Sequence, residues 1–313
     1  MADAGKLTQL RQELEQARAL LPDPATLDPA TDRRSPPPKD LATALKSCQR
    51  LLKGRPALDR PAIRTIHHMA CTGGTLLSQC IAAMPNTQLL SEIDPTSRAA
   101  PQIMFGPTDL TRLLRNASRP SGSALEIKVF LAGLKVIYED NTRAGSSLIL
   151  REHSHDHFHS GDLEPSRSTL HEILKDHYPL HSLVTVRHPL DSYLGLLKNH
   201  WLNFPDASFT EYCRRYLLFL DRHAGLDILR YEDFVTDPET HMQWICDHFE
   251  LRFEPEFTHL FGAIHLSGGS GRRGNEISLR PRRPLPDGLS GELEDNEPYA
   301  RLCTRLDYSA DAG

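Results

Sequence analysis

From residue 62 onward, short runs of apolar residues alternate with longer segments in which apolar residues recur at every third or fourth position. The short runs predict β-strands, and the longer segments predict amphipathic helices. The predicted strands cover residues 63–67, 88–91, 147–151, 183–186 and 226–229. The predicted helices cover residues 75–84, 108–116, 124–141, 169–178, 190–201, 209–223 and 238–249. Such alternation is typical of a three-layer α/β fold, with a mostly parallel sheet covered by helices on both faces.

Residues 1–60 show a different pattern, which predicts a helical N-terminal arm in front of a domain that spans residues 61–313. Residues 7–21 and 41–53 have helical periodicity, and the Pro- and Asp-rich segment 23–39 between them predicts a linker. We expect the arm to pack on its own domain or to pair two copies of the chain. A homo-oligomer formed through the N-terminal helices is therefore a hypothesis.

The composition narrows the class of protein. The chain has 313 residues, of which 39% are hydrophobic and 25% charged, as in soluble globular proteins. A formal net charge of −5 argues against a general nucleic-acid surface. No apolar run is long enough to span a membrane, and the N-terminus lacks the layout of a signal peptide. The six cysteines are scattered without a CxxC pair, which argues against a disulfide scaffold, so we expect a cytoplasmic protein.

A glycine-containing loop follows the first predicted strand and leads directly into a helix; it consists of Cys71, Thr72, Gly73, Gly74, Thr75 and Leu76. Backbone N–H groups at such a helix N-terminus collect oxyanions, and glycines let the backbone approach the anion. The loop is not a Walker A motif, because no lysine lies between Lys53 and Lys128, which argues against a P-loop kinase. Taken alone, the pattern also fits a plain strand-to-helix turn in any α/β domain.

Three later segments complete an ordered set of motifs. Val-Arg-His-Pro-Leu-Asp at 186–191 follows one predicted strand, and Arg-Tyr-Glu-Asp-Phe-Val-Thr-Asp-Pro at 230–238 follows another. A Gly- and Arg-rich segment lies at 267–274 and is followed by Arg-Pro-Arg-Arg-Pro at 280–284. Together with the first loop, the set resembles the sulfotransferases that use 3′-phosphoadenosine 5′-phosphosulfate (PAPS), and the resemblance runs over residues 63–286. It implies a P-loop-like α/β fold and a nucleotide-binding site.

The resemblance implies a binding site for each end of PAPS. The first loop holds the 5′-phosphosulfate, and the residues implied for the 3′-phosphate are Arg187, Ser192, Arg272, Arg273 and Gly274. Arg273 stands where the family has a lysine, which keeps the charge, whereas two other departures change the chemistry of the position. Cys71 stands where the family has a lysine, and Gly195 stands where it has a serine, so that Ser192 is the nearest hydroxyl. Without the resemblance, the sequence would predict that Arg187 forms a surface ion pair and that the segment 272–274 is a solvated loop.

The segment 148–153 resembles the family's strand that ends in Lys-Thr-His. The match implies that Arg151 is the cation beside the transferred group and that His153 is the general base. Glu152 is the rival base, because some branches of the family use a glutamate. Imidazole suits proton transfer near neutral pH. His67 and His68 lie at the end of the first predicted strand, where only one of them can point to the ligand, and we expect His68 to be a capped strand-end histidine without a role in the site.

The histidines of the segment 153–159 allow a different hypothesis. They alternate along the chain, and an extended backbone would place them on one side as ligands for a metal ion. The segment resembles the His-x-His-x-Asp-His motif of metallo-β-lactamase-fold hydrolases but is one residue short. Because strand–helix alternation does not fit that fold, we expect no metal and interpret the segment as a loop that lines the acceptor pocket.

The sequence therefore predicts a PAPS-dependent sulfotransferase, a transferase that moves a sulfuryl group to a hydroxyl or amine. The expected acceptor is a small metabolite or a glycan. The alternative is a non-catalytic protein on a degenerate sulfotransferase fold, which binds a nucleotide or a partner. Turnover separates these two hypotheses, since both predict nucleotide binding.

Overall fold

A computed structural model of the protein describes residues 60–97, 110–115, 118–119, 122–164, 166–266 and 276–310. The predicted N-terminal arm lies outside these ranges, so its helices and its role in pairing stay predictions.

Five strands form one sheet, in the order β2-β3-β1-β4-β5, and every neighbouring pair is parallel. The strands are β1 (Ile63–His68), β2 (Thr87–Ile93), β3 (Ser147–Glu152), β4 (Leu180–Val186) and β5 (Asp227–Arg230). This confirms the predicted α/β fold with a parallel sheet. Strand β4 begins three residues before its prediction, because Leu180, His181 and Ser182 pair with β1 although two of them are polar.

Twelve helices lie within the described ranges. They are α1 (Gly74–Ala82), α2 (Leu110–Arg115), α3 (Ser123–Ala144), α4 (His155–Phe158), α5 (Leu170–Leu174), α6 (Pro189–Asn199), α7 (Phe209–Arg222), α8 (Tyr231–Thr236), α9 (Pro238–Phe249), α10 (Phe257–Leu260), α11 (Leu289–Leu293) and α12 (Glu297–Leu306). Helix α5 is shorter than predicted. None of the helices in the described part of the chain combines the length and the apolar character that crossing a bilayer requires.

Helices cover both faces of the sheet, as the apolar strands predict. On one face, Ile66, Ile149 and Leu183 pack against α1, α8 and α9. On the other face, the alternate strand residues pack against two groups of helices. Leu148 and Leu150 meet α3 and α5, whereas β4 packs against α6, α7 and α12. Burial on both faces explains why the strands read as continuous apolar runs.

Strand β1 lies in the centre of the sheet, between β3 and β4. From β1 the chain crosses to β2 on one side, and from β3 it crosses back to β4 on the other side. Ligands of open parallel sheets bind at such a switch point, outside the carboxyl ends of the strands. The fold therefore directs the search for a site to the ends of β1, β3 and β4.

Candidate active site

A cavity of about 780 Å³ lies at the carboxyl edge of the sheet. Residues at or directly after the ends of all five strands line it. The lining residues that bear on the chemistry are His68, Cys71, Gly73, Gly74, Thr75, Leu76, Glu92, Arg151, Glu152, His153, His155, Arg187, Asp191, Gly195, Lys198, Asn199, Trp201, Tyr231, Arg280 and Arg283. The first loop, Arg187 and the segment around His153 are therefore brought to one space.

Close packing explains the two glycines of the first loop. A Cβ on Gly73, whose φ is +89°, would lie 2.2 Å from the ring of Tyr231. A Cβ on Gly74 would lie 2.4 Å from the ring of His68. Gly73 is also the N-cap of α1, and no side chain caps this helix. The first turn of α1 lies at the cavity edge, and its N-cap is a glycine, which offers the N–H groups of that turn no side-chain acceptor.

The side chains of Cys71 and Thr72 have different surroundings. The hydroxyl of Thr72 is buried, donates to the carbonyl of Met69 at 2.7 Å and does not line the cavity. The thiol of Cys71 does line the cavity and contacts Nδ2 of Asn199 at 3.6 Å. Burial raises the pKa of this thiol to about 11, and the nearby Arg187 only partly opposes that rise. Cys71 is therefore an uncharged group at neutral pH.

Arg187 follows β4 and reaches toward the first loop. Its guanidinium lies 4.7 Å from the centre of the Tyr231 ring, and its Nη1 lies 3.5 Å from the carbonyl oxygen of Cys71. Its ion-pair partner is Glu232, at 4.0 Å, and its buried Nε has no hydrogen-bond partner among the described residues. A planar cation fixed over an aromatic ring, with an unused donor, suits an anionic ligand.

The structure does not bring Ser192 to the cavity. Its side chain is fully buried, and its hydroxyl contacts the Tyr212 hydroxyl at 2.6 Å and donates to the carbonyls of His188 and Pro189. The Ser192 hydroxyl therefore stabilises the first turn of α6 and is not available to a ligand in the cavity. Arg272, Arg273 and Gly274 lie outside the described residues, so their role in holding the 3′-phosphate stays a prediction.

Glu92 organises the predicted catalytic groups. Its carboxylate lies 2.5 Å from Nη2 of Arg151 and 3.4 Å from Nε2 of His153. Nε of Arg151 in turn donates to Nε2 of His68 at 3.0 Å. Burial and the charge of Arg151 lower the pKa of His68 to about 3, so His68 is neutral. Arg151 and His153 thus lie together on one carboxylate at the cavity wall.

Glu92 was not among the predicted site residues. It lies one position beyond the predicted strand 88–91, which is where side chains from a parallel strand enter a ligand site. Its φ of +62° and the register shift between Leu90 and Ile93 set it apart from the regular strand. Glu92 could have been predicted from the principle that ligands bind at the carboxyl ends of parallel strands, applied to β2.

Glu152 reaches the cavity edge, but its carboxylate is held below it. Oε2 lies 2.7 Å from Nδ1 of His67, and Oε1 accepts from the N–H of Leu170 at 2.7 Å. Although burial alone would raise the pKa of this carboxyl, His67 and His223 hold it well below the ordinary range. These contacts leave His153 as the better placed base. The donors of His67, Glu152 and His223 lie within 4.8 Å of one another, so they could also hold a metal ion.

The expectation that the histidines 153–159 alternate on one side of an extended chain is wrong. The backbone turns into helix α4 (His155–Phe158), because Ser154 begins a helical turn and its hydroxyl donates to the carbonyl of His68. His153 and His155 line the cavity, whereas His157 packs on Phe158 and does not. The helical turn removes the geometry on which a metal site in this segment depended.

Three further cations line the cavity: Lys198, Arg280 and Arg283. None of them forms an ion pair within the described part of the chain. Nη1 of Arg283 lies 3.6 Å from the position that a Cβ on Gly195 would take, beside Cys71. The neighbouring Arg282 instead pairs with Asp191, its Nε lying 3.1 Å from Oδ1. The sequence offered no signal for this choice among the clustered arginines.

Comparisons with known proteins found similarity to solved structures. No protein-family model matches the chain, and no curated protein matches it. The sulfotransferase domain from the curacin biosynthetic pathway is 16% identical, with a TM-score of 0.46 over 80% of this chain and 99% of that chain. The sulfotransferase domain of the Synechococcus PCC 7002 olefin synthase is 18% identical, with a TM-score of 0.46 over 81% of this chain and 98% of that one. A sulfotransferase from Alicyclobacillus acidocaldarius is 13% identical, with a TM-score of 0.35 over 80% and 98% of the two chains.

Proposed function

We propose that this protein transfers a sulfuryl group from PAPS to a hydroxyl or amine of a small metabolite or glycan. One observation carries the proposal. The uncapped helix N-terminus after β1, the cation Arg187 after β4 and the base His153 after β3 all line the same cavity. A group transfer from an anionic donor requires anion-binding groups and a general base in the same cavity.

The chain's own groups suit both anionic ends of the donor. The backbone N–H groups of the first turn of α1 would bind the 5′-phosphosulfate. Arg187 would hold the 3′-phosphate, with the unused Nε of its guanidinium as one donor. The ring of Tyr231, with its centre 4.7 Å from the guanidinium carbon, supports this position by a cation–π contact.

His153 acts as the general base. With the Nε2 edge of its ring facing Glu92, Nδ1 is the nitrogen left to accept the acceptor's proton. The acceptor oxygen or nitrogen then forms a bond to sulfur, while the bond from sulfur to the bridging phosphate oxygen breaks. That oxygen keeps the electron pair and leaves on adenosine 3′,5′-bisphosphate. Arg151 and the loop N–H groups stabilise the charge that develops.

The first experiment measures nucleotide binding by isothermal titration calorimetry. Adenosine 3′,5′-bisphosphate and AMP are titrated into the wild type, Arg187→Ala and the control Arg143→Ala, which removes an exposed arginine that pairs with Asp140. We expect micromolar binding that needs the 3′-phosphate, is lost in Arg187→Ala and is kept in the control. Equal affinity for AMP, or no binding at all, would exclude a PAPS site.

The second experiment measures turnover, because the uncharged Cys71 thiol favours a competing hypothesis. A loop without its own cation suits a protein that binds the nucleotide and does not transfer the group. An acceptor screen with sulfur-35-labelled PAPS separates the two, with His153→Ala as the catalytic control and His259→Ala, an exposed histidine on α10, as the matched surface change. Binding without label transfer to any hydroxyl or amine in the screen would favour the non-catalytic hypothesis.

A further inference from the structure

We propose that His67, Glu152 and His223 bind a divalent transition-metal ion, with Zn²⁺ as the expected ion, beneath the floor of the cavity. These three side chains are named the buried triad here. His67 lies on β1, Glu152 lies on β3, and His223 directly follows α7. All three side chains are at most 4% exposed. The inference does not depend on the donor nucleotide, since the triad lies below the cavity wall.

The donor atoms of the triad lie close together, and a bound metal ion would replace the proton of the hydrogen bond between His67 and Glu152. Nδ1 of His67 lies 2.7 Å from Oε2 of Glu152, and Nε2 of His223 lies 3.3 Å from the same oxygen. One donor atom from each of the three residues fits within a span of 4.8 Å. Two imidazole nitrogens and one carboxylate oxygen are a ligand set that Zn²⁺ takes in proteins.

Each member of the triad is oriented by an outer partner. Nε2 of His67 contacts the Thr65 hydroxyl at 2.9 Å, and Nδ1 of His223 donates to the carbonyl of Phe219 at 2.8 Å. The second oxygen of Glu152 accepts from a backbone N–H, as described above. Such outer hydrogen bonds fix which ring nitrogen points inward, and metal-binding histidines almost always have them.

One ring nitrogen of the triad has an unused bonding direction. Nδ1 of His223 is taken by the carbonyl of Phe219, and its buried Nε2 has no hydrogen-bond partner among the described residues, although Oε2 of Glu152 lies 3.3 Å away. Leaving a buried polar atom without a partner is costly, and a metal ion among the three side chains would give Nε2 a partner.

The ion would act as a structural cross-link. The triad joins two neighbouring strands of the sheet to the end of α7, and its Glu152 directly precedes His153 in the chain. His67 likewise directly precedes His68, which contacts Arg151. The bound metal would therefore hold the floor on which the cavity residues lie, and it would keep Glu152 out of the acid–base chemistry.

The test measures the metal content of the full-length protein by inductively coupled plasma mass spectrometry. The protein is produced in medium supplied with Zn²⁺, Fe²⁺, Mn²⁺ and Co²⁺, and it is purified without chelators. We expect about one equivalent of Zn²⁺ per chain in the wild type and at least tenfold less in His223→Gln. The control His171→Gln, whose ring contacts the Ser182 hydroxyl at 3.1 Å, should keep its metal.

A measurement on the wild type alone covers the case in which His223→Gln fails to fold. Crystals of the wild type are measured on both sides of the zinc absorption edge. An anomalous peak between the three side chains supports the proposal, and a peak at the iron or manganese edge supports the site with a different ion. A folded wild type that holds no metal there, even after refolding with each ion, overturns the proposal.

Discussion

Gly195 on α6 lies directly against Cys71 in the first loop. A Cβ on Gly195 would lie 2.9 Å from Cβ and 3.1 Å from Sγ of Cys71. At both positions the chain departs from the sulfotransferase pattern that it resembles. Their contact makes the departures one adaptation, because the missing side chain at 195 leaves the room that the Cys71 side chain occupies.

The contact predicts that Gly195→Ala destabilises the fold. The new methyl group overlaps Cys71, and overpacking of this kind costs about 1–3 kcal/mol of the free energy of unfolding. Urea unfolding followed by circular dichroism measures the change. The control is Gly133→Ala on α3, where a Cβ meets nothing within 4 Å, and it should be neutral or stabilising by up to about 1 kcal/mol. Equal effects of the two variants would contradict the contact.

A second substitution tests whether the two positions are coupled. Cys71 has a φ of +64°, which glycine adopts without strain, so Cys71→Gly removes the overlapping atoms at little backbone cost. In the Cys71→Gly background, Gly195→Ala should lose most of its penalty, which gives a coupling energy of about 1 kcal/mol or more in a double-mutant cycle. Additive effects would show that the two residues act independently.

Glu92→Gln should lower turnover and leave nucleotide binding intact. The substitution keeps the shape of the side chain but removes the charge that Arg151 and His153 share. We expect kcat for sulfuryl transfer to fall by about 10- to 100-fold, since a base that is no longer oriented loses much of its contribution. The affinity for adenosine 3′,5′-bisphosphate, measured by calorimetry, should stay close to that of the wild type.

The matched control for this charge removal is Glu172→Gln. Glu172 also pairs with an arginine, Arg222, at 2.5 Å, but neither residue lines the cavity. Glu172→Gln should therefore leave kcat unchanged. An equal loss of kcat in both variants would mean that Glu92 stabilises the fold and does not position the catalytic groups.

The fold was predictable because its signals are local. Burial on both faces makes each strand an apolar run, and the positions at which the runs end pointed to the cavity edge. The same rule pointed to the segments that contain the first loop, Arg151, His153 and Arg187, whereas the roles of these residues came from the family resemblance. Of His67 and His68, the one that lines the cavity is His68, although the sequence favoured His68 as the structural one.

What escaped prediction depends on contacts between distant parts of the chain. Ser192 is polar and close to Arg187 in sequence, yet its hydroxyl is used by Tyr212 on α7. Nothing in the segment 153–159 shows that it turns into a helix. The buried triad joins residues from three separate elements, so no spacing in the sequence reveals it.

The free energy of unfolding should fall as the pH is lowered from 7 toward 5. Burial lowers the pKa of His68 to about 3 and the pKa values of His67, His155 and His157 to about 4, so at pH 5 the unfolded chain takes up four protons on these rings that the folded chain refuses. Below the ordinary histidine pKa of about 6.5, each such histidine lowers the free energy of unfolding by up to about 1.4 kcal/mol per pH unit. Burial raises the pKa of Asp94 to about 6, despite Arg167, so below that pH the folded state takes up one proton and offsets one histidine.

Urea unfolding at a series of pH values measures this slope. The variant His157→Phe, which keeps a ring against Phe158, should flatten it by the share of one histidine. A wild-type stability that does not change between pH 7 and 5, or an unchanged slope in the variant, would contradict the assignment of His157 as a buried neutral ring.

Arg283→Gln should slow sulfuryl transfer more than it weakens nucleotide binding. Arg283 lies beside Cys71 and forms no ion pair within the described residues, so its charge is available to the leaving phosphate, which gains charge in the transition state. We expect kcat to fall by about 100-fold, as when one donor to a developing anion is removed. The control Arg280→Gln removes a second cavity arginine and should lower kcat by a smaller factor. Equal losses of kcat would show that only the general positive field matters.

Cys71→Lys in the Arg283→Gln background should restore part of kcat, because a lysine there carries an ammonium to the same loop.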